Sequence, residues 1–241
     1  MMLIRVRLDE NQIPPDCWEE APIKDAAQSL SEALIRAITE SKLVDIEPSE
    51  LDGHNRILYN QGNDENETYL DFYIFDNTPG GSGHSVRVSQ NLNDIFYEIQ
   101  GILNCEAECD RSCHQCLRTY ENRFHQRNLD RHWANSLHNY IMTGKVGEIS
   151  RQRLEKMRDN ILIPGLNAKL SEHDLGPCNF SEIDDETGIF TISNIAGKDL
   201  TFHIRSPISA ENDDAEISLT DYDLMRNMPR VIKQIEDKVQ G

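Results

Sequence analysis

CEAECDRSCHQC, residues 105–116, sets Cys105, Cys109, Cys113 and Cys116 in a C-x3-C-x3-C-x2-C array. Four thiolates this close on one loop can converge on a single ion, and zinc is the usual occupant of an all-sulfur tetrahedral site. The Cys113-His114-Gln115-Cys116 half is a knuckle whose tight turn brings two thiolates to one metal. Two other readings stand beside this one. A pair of disulfides needs an oxidising compartment, and the opening stretch MMLIRVRLDE holds no apolar run long enough for a signal peptide. A redox C-x2-C pair leaves Cys105 and Cys109 without a role. Four cysteine ligands leave no open position for water, so the expected task of the ion is to build shape and not to do chemistry. Cys17 and Cys178 lie far from the array in acidic surroundings and read as small buried side chains.

Apolar periodicity on either side of the array gives two helices. Val88, Leu92, Ile95, Phe96, Ile99 and Leu103 form one stripe running into it, and Leu129, Trp133, Leu137 and Ile141 repeat the pattern over 128–141. Further upstream, Ala26, Ala27, Leu30, Ala33, Leu34, Ala37 and Ile38 predict a helix over 23–43. Alternation predicts strands over 3–8, 56–59 and 69–75, with Arg5 and Arg7 on the wetter face of the first and GNDENE (62–67) as the turn between the other two. Beyond Gly144 the register changes. A helix over 150–163 is closed by Pro164-Gly165, a polar acidic stretch covers 172–188, and a hairpin joins 189–193 to 200–205. A last helix spans 221–239, with Pro229 kinking it or marking its start. The expected fold is α+β. A small sheet packed with helices surrounds the four-cysteine loop over 1–144, and a smaller acidic α+β extension covers 145–241.

Charge narrows the partners. Across 241 residues the net charge is −18, which argues against general binding to nucleic acid. Residues 1–104 carry 7 basic and 19 acidic side chains and 151–241 carry 11 and 17, whereas 105–150 carry 6 of each. Any nucleic-acid contact therefore belongs to the neutral segment, where Arg111, Arg118, Arg123, Arg127 and Arg131 lie. On a helix Arg123, Arg127 and Arg131 would share one face and track a phosphate backbone, with Tyr120, Phe124 and Trp133 stacking on unpaired bases. Burial preferences instead put Phe124 and Trp133 in the core and pair the arginines with Glu121 and Asp130. No stretch approaches the ~20 apolar residues of a membrane span, so a soluble, cytoplasmic protein is expected.

The turn Asp76-Asn77-Thr78-Pro79-Gly80-Gly81-Ser82-Gly83 precedes a helix. Its glycines permit a sharp bend and a close approach to another group, and the helix amides can hold an anion. It lacks the Lys-Ser/Thr of a phosphate loop and the G-x-G-x-x-G spacing. Asp76, Pro79, Gly80, Gly81 and Gly83 thus read as a strand-to-helix turn under the metal loop, with phosphate contact as the competing role. His84, His114, His125, His132 and His138 raise the possibility of a metal-dependent hydrolase, but no H-E-x-x-H or H-x-E…C-x-x-C pattern is present.

Taken in order, YLDFYIFDNTPGGSGHS, the following helix, CEAECDRSCHQCL and NRFHQRNLDRHWA resemble the MrfA-type zinc-binding domain. That family occurs at the C-terminal end of large superfamily-two DNA helicases and in accessory proteins of antiphage systems such as DISARM. The resemblance covers roughly residues 1–141. It departs at Cys105 and Cys109, since the family commonly has its first two cysteines closer together. It implies bound Zn2+ and a non-catalytic module or subunit of a superfamily-two helicase, in antiphage defence or DNA repair. The chain itself has no Walker lysine loop and no Asp-Glu-x-His box. Because the resemblance starts almost at Met1, a separate subunit beside the helicase, or a piece of a longer gene, is expected. A scaffold that docks the motor through its acidic tail and never touches DNA is the alternative.

Overall fold

The structure, a computed structural model, describes residues 1–241 apart from 19, 42–45, 63, 64, 79, 80, 82, 173–176 and 241. It divides into two compact units, Met1–Gly147 and Glu148–Gly241, and its α+β class is the one expected from the sequence.

In the first unit the strands β1 (Met2–Leu8), β2 (Leu51–Gly62) and β3 (Glu65–Asp76) form an antiparallel sheet in the order β1-β3-β2. The pairings Ile4↔Phe72 and Arg5↔Asp71 show how strand alternation divides it. Leu70, Phe72 and Ile74 are buried on one face. On the other, Arg5 grips the buried Asp71 carboxylate through Nε at 2.8 Å and a second nitrogen at 2.9 Å, and lies 5.2 Å over the Tyr69 ring. That pair holds the Asp71 carboxyl below the usual carboxylate range, the Arg5 hydrogen bonds outweighing burial. Strands β2 and β3 run well past the expected 56–59 and 69–75. The added residues, among them Asp52, Gly53, Asn55, Asn60 and Glu67, are mostly polar or glycine and carry no hydrophobic period, and backbone pairing such as Asn60↔Glu67 extends the ladder instead.

Helix α1 (Ala21–Glu40) lies against β2, and α3 (Leu92–Asn104) and α4 (Arg131–Thr143) pack on it. The apolar stripe of α1 is buried, and Ile95, Ile99, Leu103, Trp133 and Leu137 close the core from the other helices. Burying such side chains supplies the main stabilisation, roughly 1.5–3 kcal/mol each. The short α2 (His84–Gln90) follows the glycine turn. Helix α4 is capped by Asp130, which accepts from His132 N at 2.9 Å.

In the second unit β4 (Asn179–Phe180), β5 (Ile189–Ile195), β6 (Lys198–Arg205) and β7 (Ile217–Thr220) form a sheet in that order, antiparallel except for the parallel β6–β7 pair. The helix expected to stop at Pro164 does not stop. Helix α5 (Arg151–Met157) passes through a π-helical turn, Arg158–Leu162, into α6 (Ile163–Ser171), and Pro164 sits in the first turn of α6. The wider turn relieves the meeting of the proline ring with the carbonyl four residues earlier and absorbs its missing N–H. The final helix is two, α7 (Asp221–Arg226) and α8 (Met228–Gln240), broken at Asn227 just before Pro229. Phe190 and Phe202 stack at 5.9 Å in the core, and Arg153 and Asp221 form a buried ion pair at 3.1 Å.

Candidate metal centre

The four cysteines meet. Their Sγ atoms lie within 4.8 Å of one another, with Cys105–Cys113 and Cys109–Cys116 at 3.6 Å, Cys105–Cys109 at 3.7 Å and Cys113–Cys116 at 3.8 Å. Four sulfurs each about 2.3 Å from a zinc ion stand about 3.8 Å apart along the edges of a tetrahedron. The sulfurs are thus at the spacing of a shared ion and far outside the ~2.05 Å of a disulfide. All are free thiols; Cys105 and Cys116 are buried, and Cys109 and Cys113 half-buried at the rim.

Their acidity describes the same crowding. Burial opposes the Cys113 thiolate, but the Gln115 N–H at 3.3 Å and hydrogen bonds from the neighbouring cysteines outweigh it and bring the group down to about 7. Burial pushes Cys109 and Cys116 upward, and for Cys109 the adjacent Cys116 adds to the rise. Four sulfurs in one place do not all ionise unaided. A divalent cation is what makes a full set of thiolates favourable, so the donor set fits Zn2+ by charge, softness and spacing.

Backbone and arginines hold the loop in place. The knuckle closes through Cys116 N to Cys113 O at 3.1 Å and Arg118 N to Cys113 O at 2.9 Å, and Cys113 N donates to Cys116 Sγ at 3.1 Å. Cys105 and Glu108 take left-handed φ values of 32° and 47°, each at a cost of about 1–2 kcal/mol that surrounding contacts must offset. Arg36, on α1, donates from one terminal nitrogen to His114 O at 2.8 Å and Cys116 O at 2.9 Å. Arg131, at the start of α4, reaches Cys109 O and Leu103 O, both at 2.9 Å. Arg111 bonds to Asp130 at 3.2 Å and lies 5.4 Å over Trp133. Neither Arg36 nor this role of Arg131 is visible in the sequence, because the partners are backbone carbonyls brought close only by folding.

The remaining arginines separate by position. Residues 121–125 form a turn and Gln126–Asn128 a short 3-10 segment, so Arg123, Arg127 and Arg131 do not share a helix face. Arg118 donates to Ser112 Oγ at 3.0 Å, while Arg123 and Arg127 are exposed. Trp133 is buried as burial preferences imply, whereas Phe124 is 75% exposed. Asn122, which the sequence did not single out, anchors this turn: its Nδ2 donates to Glu32 Oε2 and Leu117 O, both at 2.7 Å.

At the glycine turn, Asp76 accepts from Gly83 N at 2.9 Å and Ser85 N at 3.1 Å. The amides that an anion would need thus face a carboxylate of the chain itself, which favours a structural role over phosphate contact. Gly81 and Gly83 adopt φ of 73° and 75°, positions where a side chain is strained. Pro79 and Gly80 lie outside the described residues. Among the described residues the group of side chains placed to hold a metal is the four cysteines, and none of the five histidines named above joins it. His138 Nε2 instead meets Phe96 O at 2.9 Å inside the core. Among the described residues no helix is long and apolar enough to cross a membrane.

Comparison with known proteins adds two findings. The chain is 27% identical over 217 residues to the Druantia protein DruE of Escherichia coli (strain UMEA 4076-1), an alignment covering 88% of this chain and 12% of that protein. The chain therefore spans about an eighth of the length of that relative. No solved structure matches it. The second finding concerns the segment that holds the cysteines: residues 30–117, from the middle of α1 to the residue after Cys116, match the MrfA Zn-binding domain.

Proposed function

We propose that this chain is a zinc-binding, non-catalytic accessory module of an antiphage defence system, working with a superfamily-two DNA helicase and touching DNA through residues 111–133. The observation that carries the reading is the closed set of four sulfurs. At tetrahedral spacing it offers Zn2+ four protein ligands and no position for a substrate or an activated water, so the ion shapes the segment that follows it. The match of residues 30–117 supports zinc, and the similarity to a Druantia protein supports the defence setting. Arg123 and Arg127 are exposed just beyond the array in the neutral segment, where phosphate can reach them, while Arg118 and Arg131 are half-buried and donate to the loop itself. The excess of acidic side chains in 151–241, 17 against 11, favours a second reading for that part alone, a docking surface for a protein partner.

The test is affinity purification of the tagged chain from its native host, with mass spectrometry of its companions and metal analysis of the eluate. One zinc per chain and a large helicase in stoichiometric amount are expected. Elution alone would remove the helicase from the proposal, and a metal-free protein would remove the zinc.

A further inference from the structure

Immediately after the cysteine array, two aromatic side chains stand out in water. Tyr120 and Phe124 are each 75% exposed, while the guanidinium of Arg123 lies 4.4 Å from the centroid of both rings. Arg123 also donates to Tyr120 O at 3.1 Å, which fixes the cation between the rings. The turn that carries the stack is held firmly. Asn122 is buried and tied to Glu32 and Leu117 O, its Oδ1 accepts from Thr119 N at 3.0 Å, and Gln126 donates to Thr119 O at 2.8 Å. Rings presented on so fixed a turn lose little freedom when something stacks on them.

Charge says what that something is. Residues 117–128, LRTYENRFHQRN, hold three arginines against one acidic side chain, in a chain whose net charge is −18. We propose that the Tyr120–Arg123–Phe124 stack is a platform for the unpaired bases of a single DNA strand. The rings take base faces, and the exposed Arg123 and Arg127 accompany the phosphates. A duplex offers its base faces only to neighbouring bases, so rings that bind by stacking select unpaired strands. Nor does this segment present a helix to a groove: 121–125 is a turn, and α4 begins at a cap, Asp130, that is itself buried. The inference rests on the DNA contact proposed above and narrows it to a strand class and to Tyr120 and Phe124.

The experiment uses the full, zinc-loaded chain and two probes, a 20-nucleotide dT strand carrying one 2-aminopurine and the matched duplex. The strand should bind more tightly than the duplex, with a change in 2-aminopurine emission that reports stacking. Tyr120→Ala with Phe124→Ala should weaken strand binding roughly ten-fold or more and abolish the emission change. Tyr120→Phe with Phe124→Tyr should restore both, and Arg127→Ala should weaken strand and duplex alike while keeping the emission change. Unchanged zinc content and melting temperature show that the variants fold. Equal binding of strand and duplex, indifferent to the alanine pair, overturns the stacking platform and leaves the DNA contact standing. No binding to either probe overturns both. Normal DNA binding by the alanine pair together with loss of a co-purifying protein overturns the platform and makes the patch a protein dock.

Discussion

Replacing Arg36 by alanine tests whether the metal loop is held from outside itself. One nitrogen of Arg36 serves both His114 O and Cys116 O, and its side chain is only 19% exposed. Hydrogen bonds from a charged donor contribute about 1.5–3 kcal/mol each, so two give at most ~6 kcal/mol. Sharing of one nitrogen, partial exposure and access of water to the freed carbonyls bring the expected loss to about 2–3 kcal/mol. At 1.4 kcal/mol per factor of ten, that is roughly a 30- to 140-fold weaker hold on zinc if the bonds serve the metal-bound loop, at the upper end of the roughly 10- to 100-fold loss found when outer partners of metal ligands are removed. Competition with a coloured chelator measures the affinity, and thermal melting with and without chelator measures stability. The zinc-loaded variant should melt lower and surrender its metal at lower chelator concentration. Arg36→Lys, with a compact ammonium in place of a fork, should fall between. Zinc affinity and melting both equal to wild type would show that the cysteine loop sets its own shape and that the Arg36 bonds are incidental.

Cys116→Ser removes a fully buried sulfur of the array and should eliminate stoichiometric zinc while unfolding the loop, since structural zinc contributes about 10 kcal/mol or more in small domains; metal analysis with melting checks it, and an unchanged chelator response would refute it. Burial disfavours the charged form of His138 and lowers its pKa below the usual histidine value, with the bond to Phe96 O only partly opposing. A depressed folded value means the unfolded chain binds the proton more readily, so this stabilisation is present above about pH 6.5 and lost as pH falls. His138→Gln should flatten that part of the stability profile in denaturant melts between pH 5 and 7. Asp221→Ala takes the carboxylate away from the buried Arg153 in the second unit, and breaking such a pair costs about 3–5 kcal/mol; chemical denaturation should show the loss, and a cost below 1 kcal/mol would mean that water or other groups compensate the guanidinium.

What could be read from the chain and what could not divides by the range of the interaction. The array at 105–116, its flanking helices and the alternating strands are local patterns that periodicity and spacing locate, although the stripe from Val88 to Leu103 is broken at Asn91 into α2 and α3, and β2 and β3 outrun their alternation. The clamps are not local. Arg36 acts 78 and 80 residues away on backbone oxygens, so no spacing announces it. Phe124 misleads for the opposite reason. Its type predicts burial, but Asn122 takes the inward place in the turn, leaving Phe124 outside at 75% exposure. Pro164 was a plausible stop that a π-turn absorbs, a backbone solution that no single residue specifies.

The bond from Asn122 Nδ2 to Leu117 O joins the aromatic turn to the residue directly after the last cysteine. Shape therefore passes from the sulfur cluster to the outer surface across a single peptide unit. An ion held by the four sulfurs would then also help to set the outer rings in place.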